Sequence, residues 1–428
     1  MLEELLGKAL WEPSRSTAEY SWRRNDQLLD VERVREDFPI LKTGIIYMDS
    51  AASSLTPEQV LNKMMEFYHG YRANIDRGIH QLSQRASEEY SVAHRKIARF
   101  LNARSEEEII ITRNTTEGLN TVANGLKWRK SDKIVATVMD HHSNFIVWQR
   151  VQQRHGVRLE TVAPDEQGLF DLSDFERKID DSTRLVAIPH VSNAVGSIVP
   201  VREIVKIAER KGALTVIDAA QSVPHLKVDV QEIGCDFLAF SGHKMCGPTG
   251  SGGLYIRGEL AAQVEPTFIG GGTIQDVSVE EYKLTTGWRR FEAGTPAIAE
   301  GIGLGQAVDY LTALGMDNVR AHELGLGKRL YQGLTEIPEV QVYGPEDPQK
   351  RVALTSFNVG ELNPHDVALA LDVSKKIMIR SGHHCALPTM KEVIHADGTA
   401  RASLYIYNTA DEVETFLSTV QEIARSLA

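Results

Sequence analysis

Short apolar runs recur along the first part of the chain: Ile109–Thr112, Ile134–Val138, Leu185–Pro189, Leu214–Ile217, Phe237–Phe240 and Gly253–Ile256. Each is too short for a helix and apolar at consecutive positions, the mark of a strand buried on both faces. Amphipathic stretches such as Phe145–Arg154 and Ile204–Lys211 lie between them. Strands alternating with helices predict an α/β fold, a mostly parallel sheet covered by helices. In such sheets ligands bind beyond the carboxyl ends of the strands. Thr115, His141, Asn193, Asp218 and Lys244 each follow an apolar run closely.

The flanks read differently. Residues 1–40 are charged and predict a peripheral arm, with helical spacing over Val31–Phe38. A short strand, Ile45–Met48, runs into small residues. Residues 58–101 read as helical, broken by a polar loop at Asn74–His80, and residues 262–296 read as loop. A helix, Ile298–Leu314, bridges to a smaller α+β part. That part reads as helix Val319–Leu334, strands Val340–Tyr343 and Ala353–Val359, helix Pro364–Leu371, strand Ile377–Arg380, strand Ala402–Tyr407 and helix Asp411–Leu427. The expected division is an arm (1–40), a large domain (41–314) and a small C-terminal domain (315–428), with the N-terminal segment packing on the latter.

Composition narrows the function. The 428 residues are 42% hydrophobic and 25% charged, an ordinary globular balance, and the formal net charge of −11 argues against nucleic-acid binding. No apolar run approaches the roughly 20 residues of a membrane span, and the acidic N-terminus lacks the pattern of a signal peptide. The three cysteines, Cys235, Cys246 and Cys385, are too few for a disulfide framework, which points to a reducing cytoplasm.

The candidate chemistry sits in five places. In Ser241-Gly242-His243-Lys244 a lysine just past a buried strand is poorly hydrated, and a neutral amine can form a Schiff base. Ser241 and His243 beside it are suited to a phosphate. Thr115 and Thr116 open a helix, where hydroxyls and free N–H groups make either an anion site or a plain cap. Asp218, with Gln221 following, could pair with a pyridinium nitrogen or cap a helix. His141 offers a flat imidazole for stacking or proton transfer, or is a loop residue. In Arg380-Ser381-Gly382-His383-His384-Cys385-Ala386 the cysteine is a candidate low-pKa thiolate. A metal site there is disfavoured, because adjacent histidines face one ion poorly. Arg401 offers a fork to a substrate carboxylate.

Taken in order, Y-M-D-S-A-A-S, N-T-T-E-G-L-N, D-H-H-S-N, H-V-S-N-A-V-G, D-A-A-Q-S-V-P-H, S-G-H-K, R-F-E-A-G-T-P, R-S-G-H-H-C-A and R-A-S-L-Y-I-Y-N-T resemble the fold-type I pyridoxal 5'-phosphate enzymes of the class V aminotransferase group. The match is closest to the group II cysteine desulfurases and selenocysteine lyases. The resemblance implies Lys244 as the Schiff-base lysine, Asp218 on the pyridine nitrogen, Gln221 on the phenolic oxygen and His141 stacked on the ring. It implies Thr115, Thr116, Ser241 and His243 on the phosphate, with Thr295 from the other subunit of a homodimer. Asn193, Arg401 and Arg380 would bind the substrate, and Cys385 would be the nucleophile. The implied reaction converts L-cysteine to L-alanine, leaving a persulfide on Cys385 for an acceptor protein of iron–sulfur cluster assembly. L-Selenocysteine lysis, another class V activity or a non-catalytic scaffold are the alternatives. Two departures stand out. Asp76 occupies a position where relatives carry histidine, with consequences for substrate access. Cys246 replaces a frequent aromatic residue and places a second thiol near Lys244.

Overall fold

A computed structural model describes residues 29–425, so the greater part of the expected arm, residues 1–28, lies outside it. Within the described part the arm's helix spans Val31–Glu36 and passes into a turn at Pro39–Thr43. Proline at the start of that turn has no N–H to continue the helix.

Strand β1 is Ile46–Tyr47. The main sheet is built from β2 (Ile109–Thr112), β3 (Lys133–Thr137), β4 (Arg158–Val162), β5 (Thr183–Pro189), β6 (Leu214–Asp218), β7 (Phe237–Ser241) and β8 (Gly252–Ile256). Its seven strands lie in the order β2-β8-β7-β6-β5-β3-β4. Strand β8 alone runs opposite to the other six strands, and the pairs from β7 through to β4 are parallel.

Consecutive residues of each central strand enter opposite cores. Leu185, Ala187, Val216, Phe237 and Ala239 belong to one apolar cluster. Val186, Ile188, Ile217, Leu238 and Phe240 belong to the other. This alternation between two buried faces is why the runs are continuously apolar. Strand β4 escaped the sequence reading because it sits at the sheet edge and is only partly buried, so its sequence R-L-E-T-V alternates. The helix Ile298–Leu314 is apolar over most of its circumference and largely buried, as a helix enclosed by packing must be.

Residues 274–284, expected as loop, form a hairpin of β9 (Ile274–Val277) and β10 (Tyr282–Leu284). Its side chains are largely exposed, so no apolar pattern announced it.

The C-terminal part is a four-stranded antiparallel sheet of β11 (Val340–Tyr343), β12 (Leu354–Val359), β14 (Arg380–Gly382) and β15 (Thr399–Ser403), ordered β11-β12-β15-β14. Helices Met316–Thr335, Pro364–Lys375 and Ala410–Arg425 complete it around Leu330, Phe357, Leu371, Val413 and Phe416. Strand β13 (Ile377–Met378) pairs with β1, and Met48 joins this core, so residues 46–48 pack with the smaller part. The expected single strand at Ile377–Arg380 therefore divides between two partners. The expected strand Ala402–Tyr407 ends at Ser403. Beyond it the chain turns, with the Tyr405 N–H held by Asn408 Oδ1 at 2.8 Å.

Candidate active site

The carboxyl ends of β2, β3, β5, β6 and β7 lie along one edge of the main sheet, and the small part closes over it. Between them is a cavity of about 230 Å³. Thr115, Thr116, His141, Asn193, Asp218, Gln221, Ser241, His243, Lys244, Arg380, Cys385 and Arg401 all line it. Thr295 does not. It lies in a separate cleft with Tyr90, Phe268 and Glu292. The loop carrying Thr295 is anchored by Glu292, which accepts from Tyr90 Oη (2.8 Å) and Ile111 N–H (2.7 Å) and lies 2.9 Å from His94 Nε2.

Lys244 ends a tight turn after β7. Gly242 permits that turn: a Cβ there would stand 2.3 Å from Ser251 Oγ. Burial lowers the Lys244 pKa to about 8, although the Asp218 carboxylate opposes the shift. Asp218 ends β6 and is buried. Its Oδ1 accepts from the Ala220 N–H at 3.0 Å. Burial raises its carboxyl above the usual range, with Lys244 and the Ala220 N–H pulling it back.

His141 caps the helix His142–His155, its Nδ1 accepting from the Ser143 N–H at 3.0 Å. Burial, reinforced by Lys244, lowers its pKa to about 3, so the ring is neutral and its proton sits on Nε2. The corner before it is fixed by Asp140, which accepts from Thr137 and Asn144. Sequence reasoning passed over Asp140, whose partners lie within a few residues of it and whose role is a turn.

Ser241 Oγ accepts from the Thr115 N–H at 2.9 Å and lies 2.7 Å from Thr115 Oγ1. Thr116 Oγ1 meets Ser143 Oγ at 2.8 Å. These hydroxyls gather at a helix N-terminus whose first N–H groups have no intrahelical acceptor. Burial lowers the His243 pKa to about 4, so that ring too is neutral.

Arg380 and Arg401 stand opposite each other on β14 and β15. Arg401 is 1% exposed, donating from Nη1 to Asn193 O (2.8 Å) and from Nη2 to Asp49 Oδ1 (3.2 Å). Its buried Nε is left without a partner, as is Gln221 Oε1. Burial lowers the Arg401 pKa to about 10, which leaves it cationic at neutral pH. Like charges on paired strands repel, so this pair is arranged for an anion. Asp49, next to Met48 and the small residues noted in the sequence, was not singled out there.

Cys385 follows His384 in a loop where both residues are left-handed, at φ 56 and φ 50. Arg380 Nη2 lies 3.7 Å from its Sγ. Cys246, flagged as a second thiol near the site, is buried in the core. Its N–H donates to Ser54 Oγ (2.8 Å), and burial pushes its thiol far up, out of reactive range. Asp76 does not line the cavity but pairs with Arg289 at 3.5 Å. Among the described residues no cluster of three His, Cys, Asp or Glu could hold a metal ion, and no helix is long and apolar enough to cross a membrane.

A sequence model of the family described as aminotransferase class-V matches residues 46–416. The chain belongs to the class V aminotransferase family. Among curated members it is 49% identical to a probable cysteine desulfurase of Pyrococcus abyssi, over 92% of this chain and 98% of that one. It is 47% identical to a probable cysteine desulfurase of Synechocystis, over 92% of this chain and 95% of that one. Among solved structures of the family it resembles the apo cysteine desulfurase of Thermococcus onnurineus, with TM-score 0.90 and 48% identity over 94% of this chain and 99% of that one. The Escherichia coli cysteine desulfurase CsdA in its S-sulfonic acid form gives TM-score 0.87 and 30% identity, over 94% and 100%.

Proposed function

We propose that this chain is a pyridoxal 5'-phosphate-dependent cysteine desulfurase that converts L-cysteine to L-alanine and receives the sulfur on Cys385. The observation that carries the reading is one cavity lined by a depressed-pKa lysine, a buried strand-end carboxylate, a neutral histidine, two arginines and a cysteine. The residues fit the cofactor. Asp218 is buried with one backbone donor, a state that favours a cationic N–H partner. Gln221 lines the cavity with Nε2 donating to Ala51 O at 2.7 Å, and the second N–H of that amide would serve the ring's phenolic oxygen, while the Thr115–Ser241 corner offers hydroxyls to a phosphate. When bound, the cofactor supplies an aldehyde for amines and a ring that accepts electrons from the substrate's α carbon.

The chain's residues do the rest. Lys244 Nζ, with its pKa near 8, is partly neutral at physiological pH and can take the proton from the substrate α carbon. Asp218 would hold positive charge at the cofactor's ring nitrogen. Neutral His141 presents a flat face without adding charge. Arg401 and Arg380 bind the substrate carboxylate, turning its thiol toward Cys385. The Cys385 thiolate attacks the substrate sulfur, forming the S–S bond as the carbon–sulfur bond breaks. The bonding pair stays with the carbon fragment, which gains protons and leaves as alanine. Arg380 Nη2, 3.7 Å from Sγ, stands as a donor beside the attacking sulfur.

The persulfide then needs an acceptor thiol, so we assign a sulfur-acceptor protein of iron–sulfur cluster assembly as partner and the reducing cytoplasm as the setting. A homodimer is supported by the displaced Thr295 and by exposed Phe268, Ile269, Val277, Val279 and Tyr282 on and beside the hairpin. The test is alanine release from L-cysteine by the holoenzyme and by Cys385→Ala. The reading requires release by the first and its loss in the second. Equal release by both would refute it.

A further inference from the structure

The loop that carries Cys385 is not a free tip. Each polar group of the Cys385 peptide is engaged. Its N–H donates to His383 Nδ1 at 3.1 Å, and its carbonyl accepts from the His142 N–H at 2.7 Å. The His142 ring then reaches past the cysteine, and its Nε2 accepts from the Leu387 N–H at 3.0 Å. One residue of the large part therefore clasps the chain at the thiol and just beyond it, by main chain at Cys385 and by side chain at Leu387. The rings of His142 and His383 face each other at 5.7 Å, tilted by 33°. Asn193 Nδ2 holds the preceding carbonyl, that of His384, at 2.6 Å, and the His384 ring meets Thr399 Oγ1 at 2.7 Å.

This clasp has work to do. His384 and Cys385 both adopt left-handed backbone, which non-glycine residues hold only where surroundings impose it. The local bonds from the Cys385 and Ala386 N–H groups to His383 hold part of the turn, and the contacts across the cavity add to that constraint. His142 directly follows His141, the ring assigned to the cofactor, at the start of the same helix. The thiol loop and the cofactor ring's platform are thus tied to one rigid corner, itself fixed by Asp140. The Leu387 N–H needs a lone pair on Nε2, so the neutral ring, with its proton on Nδ1, is the form that clasps. Burial and the neighbouring His383 both lower the His142 pKa, in the direction that keeps it so.

We propose that His142 is a positioning residue for sulfur transfer: it docks the Cys385 loop onto the His141 helix and sets where Sγ meets the substrate. The proposal rests on Cys385 being the nucleophile. His142 touches neither substrate nor cofactor in this role. Its loss should therefore change the placement of sulfur acceptance while leaving carboxylate binding alone.

The test compares His142→Leu, which keeps bulk but has no acceptor, with His142→Gln, whose Oε1 can take the Leu387 N–H. The holoenzymes are assayed for kcat and KM with L-cysteine, for cofactor absorbance, and for the rate at which iodoacetamide labels Cys385, located by peptide mass. A net hydrogen bond corresponds to roughly a threefold to tenfold change in the undocked fraction, so labelling of His142→Leu should rise by that factor. Because small misplacements of reacting atoms are costly, kcat should fall about tenfold or more, with KM within about twofold and the absorbance unchanged. His142→Gln should recover most of both. Labelling and kcat of His142→Leu within about twofold of wild type would overturn the proposal, as would a glutamine variant no better than leucine. Loss of cofactor absorbance in both variants would make His142 a cofactor-site residue and would also overturn it. Failure of the underlying reading is separate, because it appears as turnover that survives Cys385→Ala.

Discussion

Replacing Arg401 by lysine should weaken recognition of the substrate carboxylate while leaving a positive charge in place. Two of the guanidinium nitrogens are committed, Nη1 to Asn193 O and Nη2 to Asp49 Oδ1, and the buried Nε has no partner in the chain. A carboxylate entering beside Arg380 would complete that third nitrogen. Lysine has no planar fork and cannot keep the Asn193 and Asp49 contacts while also offering a fixed donor to substrate. A hydrogen bond to a charged group contributes about 1.5–3 kcal/mol, which is a factor of roughly 10–160 in affinity. The assay is kcat/KM for L-cysteine and for cysteamine, which lacks the carboxylate, in wild type and Arg401→Lys. The expected result is a fall within that range for L-cysteine and little change for cysteamine. A fall under about threefold for L-cysteine, or an equal fall for both compounds, would refute the carboxylate assignment.

Other consequences can be measured on the same protein. The apo-protein should take up pyridoxal phosphate faster as pH rises, by about tenfold per unit, until the Lys244 amine is deprotonated near pH 8, and then level off. Asp218→Asn should move that plateau to lower pH, because the carboxylate stabilises the protonated lysine; stopped-flow absorbance reports both. Gly242→Ala would push a methyl group to within 2.3 Å of Ser251 Oγ, and overpacking of this kind costs about 1–3 kcal/mol, read as a lowered thermal midpoint and slower cofactor uptake. Glu292→Ala removes the acceptor for Tyr90 and Ile111 at the anchor of the Thr295 loop; calorimetry should show destabilisation of about 1–3 kcal/mol, the penalty for leaving a buried donor unsatisfied.

The parts legible in the sequence share a physical cause. Strands such as Leu185–Pro189 and Phe237–Phe240 show as apolar runs because two cores claim alternate residues, and the site residues stand just beyond their ends. What stayed hidden depends on partners far along the chain or on an edge position. Strand β4 is half exposed, the β9–β10 hairpin more so, and neither carries a core pattern. The turn at Tyr405–Asn408 is as apolar as a strand, and it closes through Asn408 Oδ1 accepting from the Tyr405 N–H. Asp49 reads as an ordinary strand-end residue until β15 brings Arg401 against it. His142 looks like a duplicate of His141, and its role appears only when Leu387 and Cys385 are folded onto it. Cys246 shows the reverse: sequence proximity to Lys244 left its reactivity open, and burial removes it.

The central claim is that sulfur leaves L-cysteine by transfer to Cys385. A single turnover of holoenzyme with a stoichiometric amount of L-cysteine, in the absence of reductant, tests it most directly, with alanine quantified and the Cys385 peptide weighed. One alanine per active site, matched by a mass gain of one sulfur atom on Cys385 and none on Cys235 or Cys246, is the predicted result. Alanine formed with Cys385 unmodified and the sulfur released directly as sulfide would contradict it.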